Sequence, residues 1–580
     1  MGAEAVAAVE ALRRAGVGAG DDVGLALAPG VGVALAPATG VSGAWSSRGP
    51  APVALVAHVE EALRPRWVVW SGVTVTTLLV GGASVSTCWD IAAVHRLLAG
   101  GWRADPGRAW ATVHGLSTED LPARAPLDLF SDVEDVADDS PVRPDGYLHP
   151  AWAGGGWADS LERVATWACL ALEVVALQRA RLSELGGRGL ATARVESATE
   201  LLCAELAHDG LPMDRRLAEA VVADVVGPRP SDEAEVARQR GERDALVLRH
   251  APAGTTFDLR SPGQVRSLLR SVGIEVRDTR AWRLEPLRDV HPVIGDLLAW
   301  RKAERVATTY GYRWLDEHLC PDDRLRGTWS SADGAAGRMT ASAGLHNMPA
   351  DMRAAVVAGE GRVLVRADLG QIEPRVLAAI SGDAALALAS AENDMYAPVA
   401  VELDVERAVA KVAVLGAMYG QTTGKGAEAL HRLHSTYPVA MAHLDAADEA
   451  GRAGRDLRTH GGRLIRLGPT DRAEVGVAEP RAQAGARGRY ARNAVVQGAA
   501  AELFKIWAVT VRARGAPLGA RVVLCLHDEL LVHAPAERGE AVAALLHDCL
   551  QEAAGRWSPG GTVRFVADVS ILERWSDAKG

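Results

Sequence analysis

Residues 521–535, RVVLCLHDELLVHAP, read as an apolar strand, a tight polar turn at His527-Asp528-Glu529 and a second apolar strand. Asp and Glu are poor strand formers, and a carboxylate beside an apolar core is costly unless it is paired or bound to a cation. A solvated hairpin turn would account for these three residues taken alone. Upstream, residues 362–383, RVLVRADLGQIEPRVLAAISGD, hold a second acidic strand end. An apolar strand runs through Val363, Leu364 and Val365 to Asp368 and turns at Gly370. It then enters a helix with Pro374 in its first turn, where a missing N–H costs nothing. The strand delivers Asp368 at its end, and the helix start places Glu373 a turn away.

Between the two acidic strand ends lies a cationic helix. In residues 407–420, RAVAKVAVLGAMYG, the side chains of Arg407, Lys411, Leu415 and Tyr419 drift slowly around one helical face. Two cations followed by an aromatic on one stripe suit a phosphate chain with a base or sugar beyond it.

In this order the three stretches resemble motifs A, B and C of the family A DNA polymerases, the bacterial polymerase I type, and the resemblance extends through most of the chain. It implies an α+β multidomain fold: a right-hand polymerase with an antiparallel palm sheet and helical fingers and thumb. An α/β RNase H-like domain of the 3′-5′ exonuclease type would precede it. The implied domains are 1–192 exonuclease-like, 193–325 thumb, 326–400 with 493–580 palm, and 401–492 fingers. The function implied is template-directed addition of deoxynucleotides to a primer 3′ end, with primer-template DNA and deoxynucleoside triphosphates as partners, no membrane, and a monomeric chain.

Phosphoryl transfer leaves little covalent work for a protein; catalysis is mostly positioning and charge stabilisation. Two Mg²⁺ ions, or Mn²⁺ in their place, can activate the attacking hydroxyl and stabilise the leaving pyrophosphate. The resemblance makes Asp368 and Asp528 the bridging carboxylates, with the Leu369 carbonyl as a further metal ligand and Glu529 a helper nearby. Arg407 and Lys411 would hold the triphosphate, and Lys411 could protonate the leaving group. Tyr419 would stack near the template base, and Leu415 would face the incoming sugar. Glu373 would fill the space of a ribose 2′-hydroxyl, excluding ribonucleotides by a clash. Gln371 and Arg375 would support the motif A turn, Arg375 also touching nucleic acid. His527 would support the primer end. Arg338 precedes a small-residue loop and Asn347 ends it; both would meet the duplex, Arg338 near the primer terminus, where minor-groove acceptors occur on every base pair. Arg489, Asn493 and Gln497, spaced by four in one helix, would touch template and primer.

The chain also departs from the family pattern. Leu369 and Gly370 stand where Tyr-Ser is usual, Pro374 where Leu is usual, and His346 where Gln is usual. Tyr437-Pro438 follows the cationic helix early, so the fingers read as trimmed, and Arg463 sits after a Gly-Gly turn in a short hairpin. Leu415 replaces an aromatic that would pack on the sugar.

At 580 residues the chain is too long for one core. It is 48% hydrophobic and 23% charged, ordinary for a globular protein. No apolar run of membrane length and no signal peptide is read. Cys88, Cys169, Cys203, Cys320, Cys525 and Cys549 are scattered without a CxxC, which suggests buried thiols in a cytoplasmic, nucleoid-associated protein. A net charge of -10 argues mildly against nucleic-acid binding. The acids, however, crowd positions 128–145, while arginines crowd 452–492.

In residues 1–192, apolar runs at 23–27, 31–36 and 67–70 alternate with helical stretches at 53–63, 90–98 and 161–185. A nuclease site of this family would need several carboxylates to hold two metal ions. Here WVVWSGVTVTTLL carries no acid, and Val164 and Ala168 stand where Tyr and Asp are implied. Asp90 alone cannot build a site, and Asp132 and Glu134 lie in an acidic loop. The reading is a domain kept as structure, with proofreading lost and no 5′-nuclease domain ahead of it. Residues 193–325 read as helical, with Asp214 and Ser261 as caps and one long amphipathic helix over 297–319. A single-subunit RNA polymerase is disfavoured by Glu373. A non-catalytic DNA-binding relic is disfavoured by the intact Asp368, Asp528, Arg407, Lys411 and Tyr419.

Restoring a ring at position 415 is expected to tighten nucleotide binding by about fivefold, since an aromatic contact contributes ~1 kcal/mol. Leu415→Phe is checked by nucleotide Kd and by the ratio of deoxy- to dideoxynucleotide incorporation; no change in either refutes it.

Overall fold

The computed structural model describes residues 2–38, 44–49, 51–123, 140–420, 427–468 and 481–578. They form two compact units. One comprises Met1–Gly210, Thr328–Ala341 and Gly361–Ile571, the other Leu211–Gly327, Ser342–Glu360 and Leu572–Gly580.

The first unit opens on a five-stranded sheet. Its strands are β1 (Asp22–Ala28), β2 (Gly32–Pro37), β3 (Trp45–Ser47), β4 (Arg66–Val69) and β5 (Cys88–Asp90), in the order β3-β2-β1-β4-β5. β1 and β2 are antiparallel, as are β2 and β3, while β4 runs parallel to β1 and β5 to β4. β1, β2 and β4 fall on the apolar runs read from the sequence, whereas β3 and β5 lie outside them. α1 (Ile91–Ala99) starts at Asp90, whose carboxylate accepts the Ala93 N–H at 2.8 Å, so this acid caps a helix. Every residue of β1 is buried, and α2 (Leu161–Glu184) covers it. A Cβ on Gly24 would lie 2.3 Å from the Ala168 carbonyl oxygen, so only glycine permits this approach. Trp70 and Trp167 stack alongside, with ring centroids 4.2 Å apart. Asp132 and Glu134 lie outside the described residues.

α3 (Gly187–Asp209) follows, and the expected domain boundary at 192/193 falls inside it. The chain later returns as β6 (Arg362–Leu369), α4 (Ile372–Ser381), α5 (Arg407–Tyr419), α6 (Pro438–Arg452) and α7 (Arg481–Gly515). β7 (Arg521–Leu526), β8 (Glu529–Pro535), α8 (Gly539–Trp557) and β9 (Ala567–Leu572) complete it. The second sheet has the order β7-β8-β6-β9. β8 is antiparallel to both β6 and β7, and its register sets Asp368 opposite Glu529. Val365, Ala367, Leu503, Trp507, Val532, Leu546 and Leu550 form the core beneath this sheet. Each such aliphatic side chain contributes roughly 1.5–3 kcal/mol by burial. α5, α6 and α7 share a separate core around Met418, Tyr437, Met441 and Leu444. The boundary expected at 492/493 falls within α7. By length and composition alone the helical stretch Arg481–Leu518 could cross a membrane, but 83% of its most apolar window is buried inside the fold, as in a core helix.

A cluster of buried charges joins these parts. Glu196 on α3 accepts from Lys505 Nζ at 2.8 and 2.9 Å, and Arg463 Nη2 lies 2.7 Å from its Oε2. All three side chains are almost wholly buried. Burial works to raise the Glu196 pKa, but Arg463 and Lys505 overcome it and hold the carboxyl below its ordinary value. Arg463 reaches the cluster from the predicted hairpin, whose strands are Leu457–Arg458 and Leu464–Ile465. One helical turn on, Glu200 accepts from Ser331 at 2.6 Å and pairs with Arg96. Glu205 pairs with Arg512 of α7 at 2.6 Å.

The second unit is mainly helical, with helices Arg215–Val226, Glu233–Leu248, Pro262–Ser271, Pro292–Thr309 and Tyr312–His318. Asp214 and Ser261 cap their helices as expected. Its core includes Val247, Leu268, Val293, Leu297 and Trp300. The single long helix expected over 297–319 is two. The first ends at Tyr310, whose buried ring sends its hydroxyl to the Gly344 carbonyl at 2.9 Å, and Gly311 opens the second.

Removing one partner of a buried ion pair costs about 3–5 kcal/mol, because the other charge is stranded. Lys505→Met is expected to destabilise the protein on that scale, seen as a lower urea midpoint at pH 7. An unchanged midpoint would show that Arg463 alone suffices for Glu196.

Candidate active site

The sheet register builds the site. β6 ends at Asp368-Leu369, and the β7–β8 connection is a two-residue turn, His527-Asp528, with Glu529 already in β8. The turn is therefore tighter than the three residues read from sequence. His527 takes a positive φ of 27°, a conformation uncommon for a residue with a side chain. The Leu369 N–H donates to the Asp528 carbonyl at 2.8 Å, which ties the hairpin tip to the end of β6. Gly370 then donates to the Val566 carbonyl at 2.9 Å. A Cβ on Gly370 would meet Val566 Cγ2 at 2.9 Å, which accounts for glycine in the turn.

Two carboxyl groups here are held above their ordinary pKa. Burial raises Asp528 to about 6, and the charge of Asp368 adds to it. Burial also raises Asp368; Arg366 opposes this, while Glu529 and Asp568 reinforce it. Arg366 Nη2 lies 2.9 Å from Asp368 Oδ2 and 2.9 Å from Glu529 Oε2. Among the described residues no cation pairs with Asp528. Nor do three or more His, Cys, Asp or Glu side chains gather as a metal cluster. Two mutually repelling carboxylates without a shared counter-ion still fit a hard divalent cation. Mg²⁺ in particular takes one or two carboxylates and completes its shell with phosphate oxygens and water.

A second group surrounds Glu373 at the start of α4. Arg338 Nη2 donates to its Oε1 at 2.8 Å, and the Tyr419 hydroxyl donates to its Oε2 at 3.1 Å. Gln497 of α7 hydrogen-bonds Tyr419 in turn. A third group is built on Gln371, which has φ 52° at the helix N-cap. Its amide donates to Asp394 Oδ1 at 3.2 Å, and its Oε1 accepts the Met395 N–H at 2.7 Å. Asp394 also pairs with Arg407, raising the guanidinium pKa. Lys411 is exposed on α5, and half-buried Leu415 packs into the core shared by α5, α6 and α7. On α7, Arg489 is exposed, and Asn493 keeps a buried Oδ1 with no hydrogen-bond partner. Burial lowers the His527 pKa, with Arg338 adding to it. Asn347 belongs to the second unit, where its carbonyl accepts from Arg305 at 2.6 Å.

Arg375 is a correction. It is fully buried, and its guanidinium donates to the carbonyls of Gly370, Ser390, Glu392, Asn393 and Arg564 at 2.6–2.9 Å. Burial pulls its pKa down to about 10. It braces the turn after Asp368, as expected, but has no face left for nucleic acid.

Arg366, Asp394 and Asp568 were not among the predicted residues. Arg366 carried a signal: it interrupts an apolar strand two residues before Asp368, so the two share a face of the strand. Asp394 and Asp568 are brought in by loop and sheet geometry, and the sequence around them has no pattern that marks them.

Comparison with known proteins identifies a family. The profile of DNA polymerase family A matches residues 233–577. The thermostable DNA polymerase I of Thermus thermophilus is 30% identical over 540 residues, covering 83% of this chain and 61% of that protein. DNA polymerase I of Deinococcus radiodurans is 28% identical over 370 residues, covering 57% of this chain and 37% of that one. The chain thus spans less than two thirds of the length of these relatives. In structure it is similar to the POL domain of Pol1 from M. smegmatis, solved in complex with DNA primer-template and dNTP. The TM-score is 0.69 at 20% identity, over 98% of each chain; at that identity the likeness is one of fold.

A carboxyl whose folded pKa is raised binds more protons folded than unfolded, so stability falls as pH rises between the unfolded and folded values. For Asp528 that window runs from the ordinary carboxyl value of 3.8 to about 6. In EDTA, Asp528→Asn is expected to stabilise the protein at pH 8, by up to about 3 kcal/mol from the size of the shift. The gain should disappear below about pH 4. Thermal melts across pH check this; an equal effect at both ends excludes the charge as its cause.

Proposed function

The chain belongs to DNA polymerase family A, and from that premise we propose that it extends a primer 3′ end with deoxynucleotides under the direction of a template strand. One observation carries the reading: Asp368 ends β6 beside the Asp528 turn, its charge adding to the burial that raises the Asp528 pKa, in a unit whose helix α5 carries Arg407, Lys411 and Tyr419.

Two divalent ions, Mg²⁺ or Mn²⁺, bound by Asp368, Asp528 and the Leu369 carbonyl would supply charge stabilisation to the attacking and leaving oxygens. The remaining steps belong to the chain. The β6–β8 register and the Leu369 N–H fix both carboxylates before substrate arrives. Arg407, aligned by Asp394, and Lys411 would grip the triphosphate, and the exposed Lys411 ammonium can give a proton to the leaving pyrophosphate. Glu373, clamped by Arg338 and Tyr419, would be a rigid wall against a ribose 2′-hydroxyl. Arg338, Asn347, Arg489, Asn493, Gln497 and His527 are proposed to contact primer and template. The N-terminal sheet is proposed to act without proofreading, and the protein to work as a monomer in the cytoplasm, at the nucleoid.

Primer extension on a labelled primer-template with Mg²⁺ tests this. Extension is expected with four deoxynucleotides, and an unshortened primer without them. Asp368→Ala and Asp528→Ala should each slow extension by at least about 10²-fold, the scale of losing one preorganised stabiliser. Glu373→Ala should admit ribonucleotides. No extension with either Mg²⁺ or Mn²⁺ would refute the reading.

A further inference from the structure

Asp368, Asp528 and Glu529 are not equivalent, and Arg366 makes the difference. Its side chain is 10% exposed, and a single nitrogen, Nη2, touches both Asp368 Oδ2 and Glu529 Oε2. Its Nε is buried without a hydrogen-bond partner, so this guanidinium is not cradled by main-chain carbonyls as Arg375 is. The Glu529 side chain is 8% exposed against 35% for Asp368. Asp568 adds a further negative charge to this neighbourhood. A guanidinium stays charged at any working pH, so nothing short of conformational change removes it from the acids.

We propose that Arg366 is a resident counter-ion that withdraws Glu529 and one oxygen of Asp368 from metal coordination. Of the charged oxygens, this leaves the other one of Asp368 and the Asp528 carboxylate to hold a divalent ion. The proposal rests on reading Asp368 and Asp528 as the ion-holding pair. Affinity for a divalent cation follows the number of charged oxygens offered and the rigidity of the site. With Arg366 in place, the free protein binds the ion weakly, and nucleotide phosphates must bring the missing oxygens. Metal occupancy is thereby coupled to nucleotide arrival. Without Arg366, Glu529 and both Asp368 oxygens become available, and the ion settles before the substrate.

The test is Mn²⁺ binding to the full chain without DNA or nucleotide, followed by the electron paramagnetic resonance signal of the free hydrated ion. Arg366→Gln is expected to bind Mn²⁺ at least about tenfold more tightly than the parent, given the added carboxylate oxygens. Equal or weaker binding by a folded Arg366→Gln protein overturns the proposal. Adding Asp528→Asn to Arg366→Gln should abolish the gain. If the gain survives, the ion lies elsewhere, and the reading of the aspartate pair fails along with the proposal. If Arg366→Gln does not fold in EDTA, folding restored by Mn²⁺ supports the proposal, and folding not restored overturns it.

Discussion

Asp368 and Asp528 are partly buried acids brought close by the end of β6 and the β7–β8 turn, and burial penalises like charges unless positive charge is near. Coulomb repulsion between like charges at contact distance amounts to several kcal/mol near a protein surface. Much of the surrounding structure answers this constraint. The pairing of β6 with β8 prevents the strand ends from separating, and the Leu369–Asp528 main-chain bond prevents the turn from folding away. Arg375 spends its whole guanidinium on the carbonyls of the turn after Asp368, so that turn cannot relax either. Having removed every route of escape for the acids, the fold supplies one cation, Arg366, on one side. It leaves Asp528 with a raised pKa on the other. A site poised in this way has its electrostatic demand built in before any ligand binds.

The same logic recurs, with the opposite outcome, around α3. Glu196 is as deeply buried as any acid in the protein, yet two cations hold it ionised. That cluster fixes the hairpin carrying Arg463, and Arg463 in turn lies against Gly337, where a Cβ would fall 2.3 Å from its Nε. Gly337 precedes Arg338, which clamps Glu373. Glu200 holds Ser331 at the other end of the same loop. A helix following the N-terminal sheet thus sets, through two carboxylates, the loop from which Arg338 reaches Glu373. Buried ion pairs are weak sources of stability but strong sources of registry, and registry is what this loop requires.

Sequence patterns reached the two strand ends, the cationic helix and three strands of the first sheet, β1, β2 and β4, because each is a local signal. Apolar runs that end in acids, a four-residue stripe, and alternation broken by glycine all survive in one dimension. What they missed was set by contacts distant in sequence. Arg375 looked like a basic residue on a helix presented to nucleic acid, and only the loop at 390–393 and the carbonyl of Arg564 reveal that it is enclosed. The long helix over 297–319 was periodic enough to read as continuous. Tyr310 and Gly311 break it because the tyrosine ring is buried and bonded to a loop far along the chain. Arg463 read as a turn residue, yet it is one of the most deeply buried cations, for a reason held on α3.

The first sheet is held tightly against its covering helix. The strand order, the parallel β4 and β5, and the covering helix α2 are those of an α/β layer. Between β1 and α2, however, the backbones approach so closely that Gly24 tolerates no side chain, and stacked indoles from Trp70 and Trp167 occupy the neighbouring corner. Asp90, an acid at a strand end in this layer, is bound into the start of α1. Such packing suits a layer that bears load. α1 accepts Arg466 on the Ala99 carbonyl, and Arg512 of α7 grips the carbonyls of Val85 and Ser86.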